Sequence, residues 1–375
     1  VGEKDKPSDD FLARNGLADG KLYVWVAEAD ELAPYEAIKA HIAEVLASDD
    51  LTRREERKLV RADSFADRHE GDERLLEKLA ERLDVDLTGD SIDSPLEFSG
   101  TGAEIAGRWV EINNEPRPGM ASEDGTTGFD EYGYPTQGNL WLQAKEAGAF
   151  GFSRPEDVAT NPDNGSEFVL ASTGVDTYDI DPETGNGADS FGTVYTMEVE
   201  FGRKAALKSS TLKIAYDGDD DPARALRSPD NLDWARDGLI YVQEDKAEDD
   251  TLTGEPLFGT GAANPEEAGI VALGPDTGEV VRIANVDRGV VLDGSIADPG
   301  LAVDVDAGIA GAWESSGILE VSELFGIDDG SLFLATVQAH GIEDQAGFNA
   351  ESRLTDADLV EGGQLLFLAD EFLFA

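Results

Sequence analysis

Along this chain the spacing of apolar residues changes twice. Lys21-Leu-Tyr-Val-Trp-Val-Ala alternates and is built of β-favouring types, which predicts a short strand. From Pro34 to Leu87, apolar residues fall instead at Ile38, Ile42, Val45 and Leu46, then at Leu75, Leu76, Leu79 and Leu83. That helical spacing, with Ala, Glu, Lys and Arg between, predicts two or three amphipathic helices, one starting near Ser64 or Asp72. From Leu96 onward the pattern is β, in runs such as Arg108-Trp-Val-Glu-Ile, Glu167-Phe-Val-Leu-Ala, Thr193-Val-Tyr-Thr-Met-Glu-Val and Thr211-Leu-Lys-Ile-Ala-Tyr. It continues through Leu239-Ile-Tyr-Val-Gln, Gly269-Ile-Val-Ala-Leu, Val280-Val-Arg-Ile-Ala, Leu332-Phe-Leu-Ala-Thr-Val and Gln364-Leu-Leu-Phe-Leu. Asp276-Thr-Gly278 between two of these runs is a hairpin signal.

A recurring unit organises the β region. Arg154-Pro155-Glu156 precedes an alternating segment, a turn at Asn164-Gly165 and the apolar run Phe168-Val-Leu-Ala. Arg227-Ser-Pro-Asp-Asn-Leu repeats the pattern, with the turn Asp237-Gly238 and the run Leu239-Ile-Tyr-Val. A looser copy is Trp313-Glu-Ser-Ser-Gly-Ile-Leu, with Asp329-Gly330 and then Ser331-Leu-Phe-Leu. Each proline fixes its own φ and restricts the residue before it, so the neighbouring Arg or acid is held rigidly. Strand units that each begin with an inward acid are the one-dimensional form of a β-propeller; Asx-Pro turns in an ordinary sheet protein are the alternative. About 14 strands at four per blade give three to four blades, too few for a closed ring. The expected fold class is therefore all-β, a β-propeller incomplete in this chain, with a helical insertion. Residues 1–33 hold propeller strand(s), 34–95 the insertion, packed on the propeller rim or acting as a lid or partner site, and 96–375 the blades. Val1 reads as the end of a strand, which suggests a processed chain or a fragment.

Composition adds charge to this picture. Asp and Glu number 80 against 29 Lys plus Arg, a formal net charge of −51 over 375 residues. That field opposes binding to nucleic acid and to anionic membranes, which need basic side chains. It fits a hydrated surface in a salty extracellular setting, and it makes carboxylate clusters candidates for divalent cations. The absence of cysteine excludes disulfides and thiolate metal ligation within this chain. No run is apolar and long enough for a membrane span, and no signal peptide is visible.

Two loops are dense in oxygen ligands, Asp176-Thr-Tyr-Asp-Ile-Asp-Pro-Glu-Thr-Gly-Asn-Gly-Ala-Asp189 and Asp217-Gly-Asp-Asp-Asp221. Neither has EF-hand spacing, and exposed acidic turns are the expectation for both. Glu156, Asp230 and Glu314, which begin the repeat units, are the stronger metal-ligand candidates. On a propeller they converge at one axis, where like charges require cations. Arg154 beside them supplies a planar fork for a phosphate or carboxylate. Of the three histidines, His41 and His69 fall on the surface of the helical segment. His340, in Val337-Gln-Ala-His-Gly, ends a strand near the expected channel mouth, as a ligand, an acid or a structural hydrogen-bonding group. No P-loop, Rossmann loop or Gly-x-Ser-x-Gly elbow is present.

Together these residues resemble the PhoX-type alkaline phosphatases, a family of secreted bacterial β-propellers. The resemblance rests on Arg154-Pro-Glu-Asp, on Ser228-Pro-Asp-Asn-Leu with Gly238-Leu-Ile-Tyr-Val-Gln-Glu-Asp, and on Glu314-Ser-Ser-Gly-Ile with Val337-Gln-Ala-His-Gly. It covers roughly residues 100–370 and the strand near residue 21. It implies a six-bladed propeller whose channel holds calcium and iron ions and hydrolyses phosphate esters. It also implies a secreted or periplasmic location. By motif match Glu156, Asp230 and Glu314 would be metal ligands, Arg154 a phosphate contact and His340 a catalytic residue. The family's iron site also uses a cysteine and N-terminal acids, so the resemblance carries Ca2+ to this chain more directly than Fe3+. It implies as partners a phosphate-ester substrate and an N-terminal segment of the same propeller, or another chain, to supply the remaining blades. A non-catalytic extracellular propeller holding structural calcium, or a propeller lactonase, are the competing readings.

Overall fold

The computed structural model describes residues 22–28, 34–47, 51–70, 72–85, 92–123, 125–175, 189–203, 207–220, 223, 226–245, 266–288, 303–304, 311–343 and 360–369. The chain divides into two compact units, residues 27–92 and the remainder.

The smaller unit is helical: α1 (Pro34–Leu46), α2 (Arg53–Arg68) and α3 (Glu73–Leu83). Thr52 and Glu55 close a reciprocal capping box at the start of α2, satisfying two orphan backbone donors. Asp72 caps α3 through the Leu75 N–H, and Asp84 ends it in the left-handed conformation. Ser64 is no helix start. It lies inside α2, where its hydroxyl donates to the Val60 carbonyl one turn back. Ile38, Ile42, Leu59, Ala62, Ala66, Leu76 and Ala80 form the core, and Lys39 reaches Asp63 and Asp67 at 2.5 and 2.9 Å. His41 and His69 are half-buried.

Among the described residues the larger unit is mostly β, in three sheets. The first contains β1 (Leu22–Ala27), β2 (Glu104–Ile112), β3 (Pro155–Thr160), β4 (Glu167–Ser172), β5 (Thr193–Phe201) and β6 (Leu207–Asp217), in the order β1-β2-β6-β5-β4-β3. The second is the meander β7 (Pro229–Trp234), β8 (Ile240–Glu244), β9 (Gly269–Leu273) and β10 (Val280–Asn285). The third joins β11 (Val303–Asp304), β12 (Glu314–Glu320), β13 (Leu332–Glu343) and β14 (Val360–Ala369). The hairpin expected at Asp276-Thr-Gly278 connects β9 to β10, with Gly278 at φ +66°.

The second sheet lies between the other two. Ile240, Val242, Val271 and Leu273 pack with Val169, Ala171, Val194 and Ala215 of the first sheet. From the opposite face Tyr241 and Ala272 meet Phe333 and Leu368 of the third. Burial on both faces explains why Leu239-Ile-Tyr-Val and Gly269-Ile-Val-Ala-Leu read as unbroken apolar runs rather than alternations. Each Val, Leu or Ile among them contributes about 1.5–3 kcal/mol on full burial.

Two expectations are corrected here. The region after Leu96 is not purely β, because α4 (Gln137–Glu146) forms behind a Thr136 N-cap that accepts from the Asn139 N–H. Its residues are all at least partly exposed, so it carries no clear apolar stripe to read. The second correction concerns the acidic loops. Asp189 and Asp217 are buried, and protein donors occupy their oxygens. Asp217 accepts from the N–H groups of Gly100 (2.7 Å) and Asp219 (2.9 Å), and Asp189 from the Thr193 hydroxyl (3.1 Å). Asp219 in turn accepts from Ser190 and Phe191, so these acids tie the β5 and β6 ends together. Residues 176–188 lie outside the described residues.

Candidate metal centre

The three recurring units become the edge strands β3, β7 and β12, one per sheet, with β3 packed on β7 and β7 on β12. Edge strands accommodate Pro155 and Pro229 at their first positions, where a missing N–H breaks no ladder. The backbone repeats as well. Arg154 and Ser228, each just before a proline, are two of three non-glycine residues with positive φ among those described, at 57° and 40°. The Arg154 carbonyl accepts from the Thr173 N–H at 3.0 Å, and the Ser228 carbonyl from the Asp245 N–H at 2.9 Å. Thr173 and Asp245 thus occupy matching places, one residue beyond β4 and β8. Positive-φ residues held at equivalent points mark a constrained backbone ahead of each Pro-acid pair.

The result is a convergence of carboxylates. Asp230 opens β7 after Pro229, Asp245 follows β8, and Glu314 opens β12. One oxygen of each lies within 4.8 Å of the others. Asp245 and Glu314 are buried and Asp230 half-buried. Glu314 lies opposite Gln338 in the β12–β13 ladder, and His340, two residues further along β13, puts Nε2 3.3 Å from Glu314 Oε2. From the first sheet Arg154 Nη2 reaches Asp245 Oδ2 at 2.9 Å, and its Nε lies 3.9 Å from Glu156 Oε1.

Electrostatics follow from this packing. Burial, then hydrogen bonding and charge from Asp245, push the Glu314 carboxyl up to about 7, while His340 pulls the other way. Asp230 is pushed up to about 6 by burial, then by the charges of Asp245 and Glu156. Cation-free, the cluster therefore holds protons in the neutral range, and a divalent cation would replace them.

All five residues singled out in the sequence lie around this point. Asp230 and Glu314 belong to the three-carboxylate group; Glu156 stands outside it, half-exposed beside Arg154 and acting on Asp230 through its charge. Asp245 was not singled out. The signal for it was the acid pair Glu244-Asp245 ending a buried run, where strand pairing brings β8's end beside the start of β7. The donor set is three carboxylates in a chain with no cysteine, which suits a hard, oxygen-seeking cation and offers no thiolate to a softer ion.

The larger unit is thus a mostly β structure with a carboxylate centre where three sheet edges meet. The family described as alkaline phosphatase PhoX matches residues 60–301, more than half of the chain, and the chain belongs to that family. Among solved structures it is similar to Pseudomonas fluorescens PhoX in complex with vanadate, a transition state analogue, at 14% identity and a TM-score of 0.38. That similarity covers 72% of this chain and 42% of the other, so the chain spans less than half of that relative's length. No curated protein matches.

Proposed function

We propose that this chain carries a calcium-dependent phosphoester hydrolase centre of the PhoX type, at the axis of a β-propeller in a secreted or periplasmic protein. One observation carries the reading: Asp230, Asp245 and Glu314 meet within 4.8 Å with the Arg154 guanidinium on Asp245. Family membership supports the reaction class. The order of the sheets, with β3, β7 and β12 facing one another edge strand to edge strand, supports the propeller. No helix among the described residues is long and apolar enough to cross a membrane.

Asp230, Asp245 and Glu314 would hold the cation, with Glu156 close enough to tune Asp230. When bound, calcium would supply positive charge for the phosphoryl oxygens in a chain whose net charge of −51 otherwise repels them. Arg154 contributes a planar donor fork for the same oxygens once it leaves Asp245. His340, with Nε2 3.3 Å from Glu314 Oε2, would serve the leaving oxygen as general acid. Hydrolysis of para-nitrophenyl phosphate that requires calcium and stops with chelator is the expected result. No hydrolysis by a calcium-loaded protein would sink the enzymatic reading.

The lack of cysteine favours a second reading, a non-catalytic module whose centre holds calcium structurally. It predicts the same calcium binding with no turnover.

A further inference from the structure

Two of the three recurring units supply, one residue after their acid, a side chain that grips the next sheet. Glu156 is followed by Asp157, and Asp230 by Asn231. Asp157 Oδ1 accepts from its own Val158 N–H at 2.8 Å, and its Oδ2 accepts from the Leu232 N–H of β7 at 3.0 Å. Asn231 Oδ1 accepts from the Gly317 N–H of β12 at 2.6 Å and faces the Ser316 hydroxyl at 3.1 Å. These contacts fall where the ladders slip. The β7 register skips between Pro229 and Leu232, and the β12 register between Ser316 and Ile318. Gly317 is the extra residue of that bulge, at φ +67°, and its N–H is released from the ladder. A released N–H between packed strands needs a partner, and the preceding sheet provides it.

We infer that Asp157 and Asn231 are positioning residues that set the spacing of the centre, one for each half of it. The inference rests on the reading of Asp230, Asp245 and Glu314 as a cation site. Asn231 adjoins Asp230 and holds the backbone three residues beyond Glu314, so it fixes the second-sheet carboxylates against the third-sheet one. Asp157 lies three residues after Arg154 and holds the backbone two residues beyond Asp230, so it fixes the guanidinium against the carboxylates. Asp233 adds a second tie between the same two sheets as Asn231, accepting from the Glu320 N–H at 2.6 Å. With that tie in place, removing Asn231 shifts the local spacing without separating the sheets.

The two positions predict different losses. Outer-sphere partners of metal ligands typically change metal affinity by about 10–100-fold. Calorimetric titration with calcium should show Asn231→Ala weakened by at least about tenfold. Asn231→Asp, which keeps an acceptor at the same reach, should stay within about threefold of wild type, a change under 1 kcal/mol. Asp157→Ala should lose no calcium affinity, gaining at most about fivefold as Arg154 loosens from Asp245, but should bind inorganic phosphate at least about tenfold more weakly when calcium-loaded. If Asn231→Ala does not fold, as judged by circular dichroism, Asn231→Gln displaces the acceptor by one methylene and should show the same calcium loss. Wild-type calcium affinity in Asn231→Ala or Asn231→Gln, or equal losses of calcium and phosphate in Asp157→Ala, would overturn the assignment. A wild-type protein that binds no calcium would overturn the centre itself, a result distinct from either.

Discussion

Arg154 Nη2 lies 2.9 Å from Asp245 Oδ2, so a side-chain cation already neutralises a carboxylate that a bound ion would use. The pair joins the first sheet to the second across the centre. Arg154 therefore has opposite effects on the two ligands proposed for this site: it competes with a cation and attracts an anion.

Arg154→Met should raise calcium affinity while weakening phosphate binding. A partly exposed ion pair is worth up to about 1 kcal/mol, which limits the calcium gain to about fivefold. Paired calcium and phosphate titrations read both signs. Weaker calcium binding in the variant would show that Arg154 supports the cation site instead of opposing it.

The carboxylates should rank by position. Asp245→Asn and Asp230→Asn each remove a direct oxygen donor and should weaken calcium binding by at least about tenfold, whereas Glu156→Gln, outside the three-residue group, should cost less. The same titrations decide this. Equal losses in all three variants would draw Glu156 into the first coordination sphere.

Raised carboxyl pKa values set a pH dependence with a definite sign. Asp230 and Glu314 sit near 6 and 7 in the folded chain, above their ordinary values of 3.8 and 4.5. The folded state thus binds more protons than the unfolded one between about pH 4 and 7. The stability these protons give is fully present below pH 4 and is lost as pH rises through 7. Denaturation of calcium-free protein should show that decline, and Glu314→Gln should flatten its upper part. Added calcium should stabilise strongly at pH 8 and little at pH 5. A calcium effect independent of pH would separate the ion from these carboxylates.

Behind Asp245, the fully buried Glu244 accepts two bonds from Arg282, both at 2.7 Å, and the N–H groups of Arg227 and Gly269 at 3.0 and 2.9 Å. Glu244→Ala would strand the buried N–H groups of Arg227 and Gly269, while Arg282 keeps Glu266 Oε2 at 3.0 Å, at about 1–3 kcal/mol of stability for each stranded group. Urea denaturation measures this, and a loss below about 1 kcal/mol would place the network nearer the surface than its burial indicates.

Much of the fold was legible because apolar runs and turn residues are local signals. Leu239-Ile-Tyr-Val, the Asp237-Gly238 turn and the Asp276-Thr-Gly278 hairpin read directly as structure. Helix α4 did not, since its exposed residues leave only the Thr136 cap as a signal. The Pro-acid pairs pointed to Glu156 and Asp230 because proline has so few places in a sheet, and Glu314 came from the looser third copy, which has no proline. Asp245 and the gripping roles of Asp157 and Asn231 depend on register and on contacts between sheets. The two gripping contacts span 75 residues, from Asp157 to Leu232, and 86, from Asn231 to Gly317, and leave no pattern along a single stretch.

The most direct test is anomalous scattering from crystals grown with calcium. The account predicts an ion at about 2.3–2.6 Å from oxygens of Asp230, Asp245 and Glu314. A calcium-saturated crystal with that space empty, Arg154 still on Asp245 and the ions bound elsewhere, would contradict it.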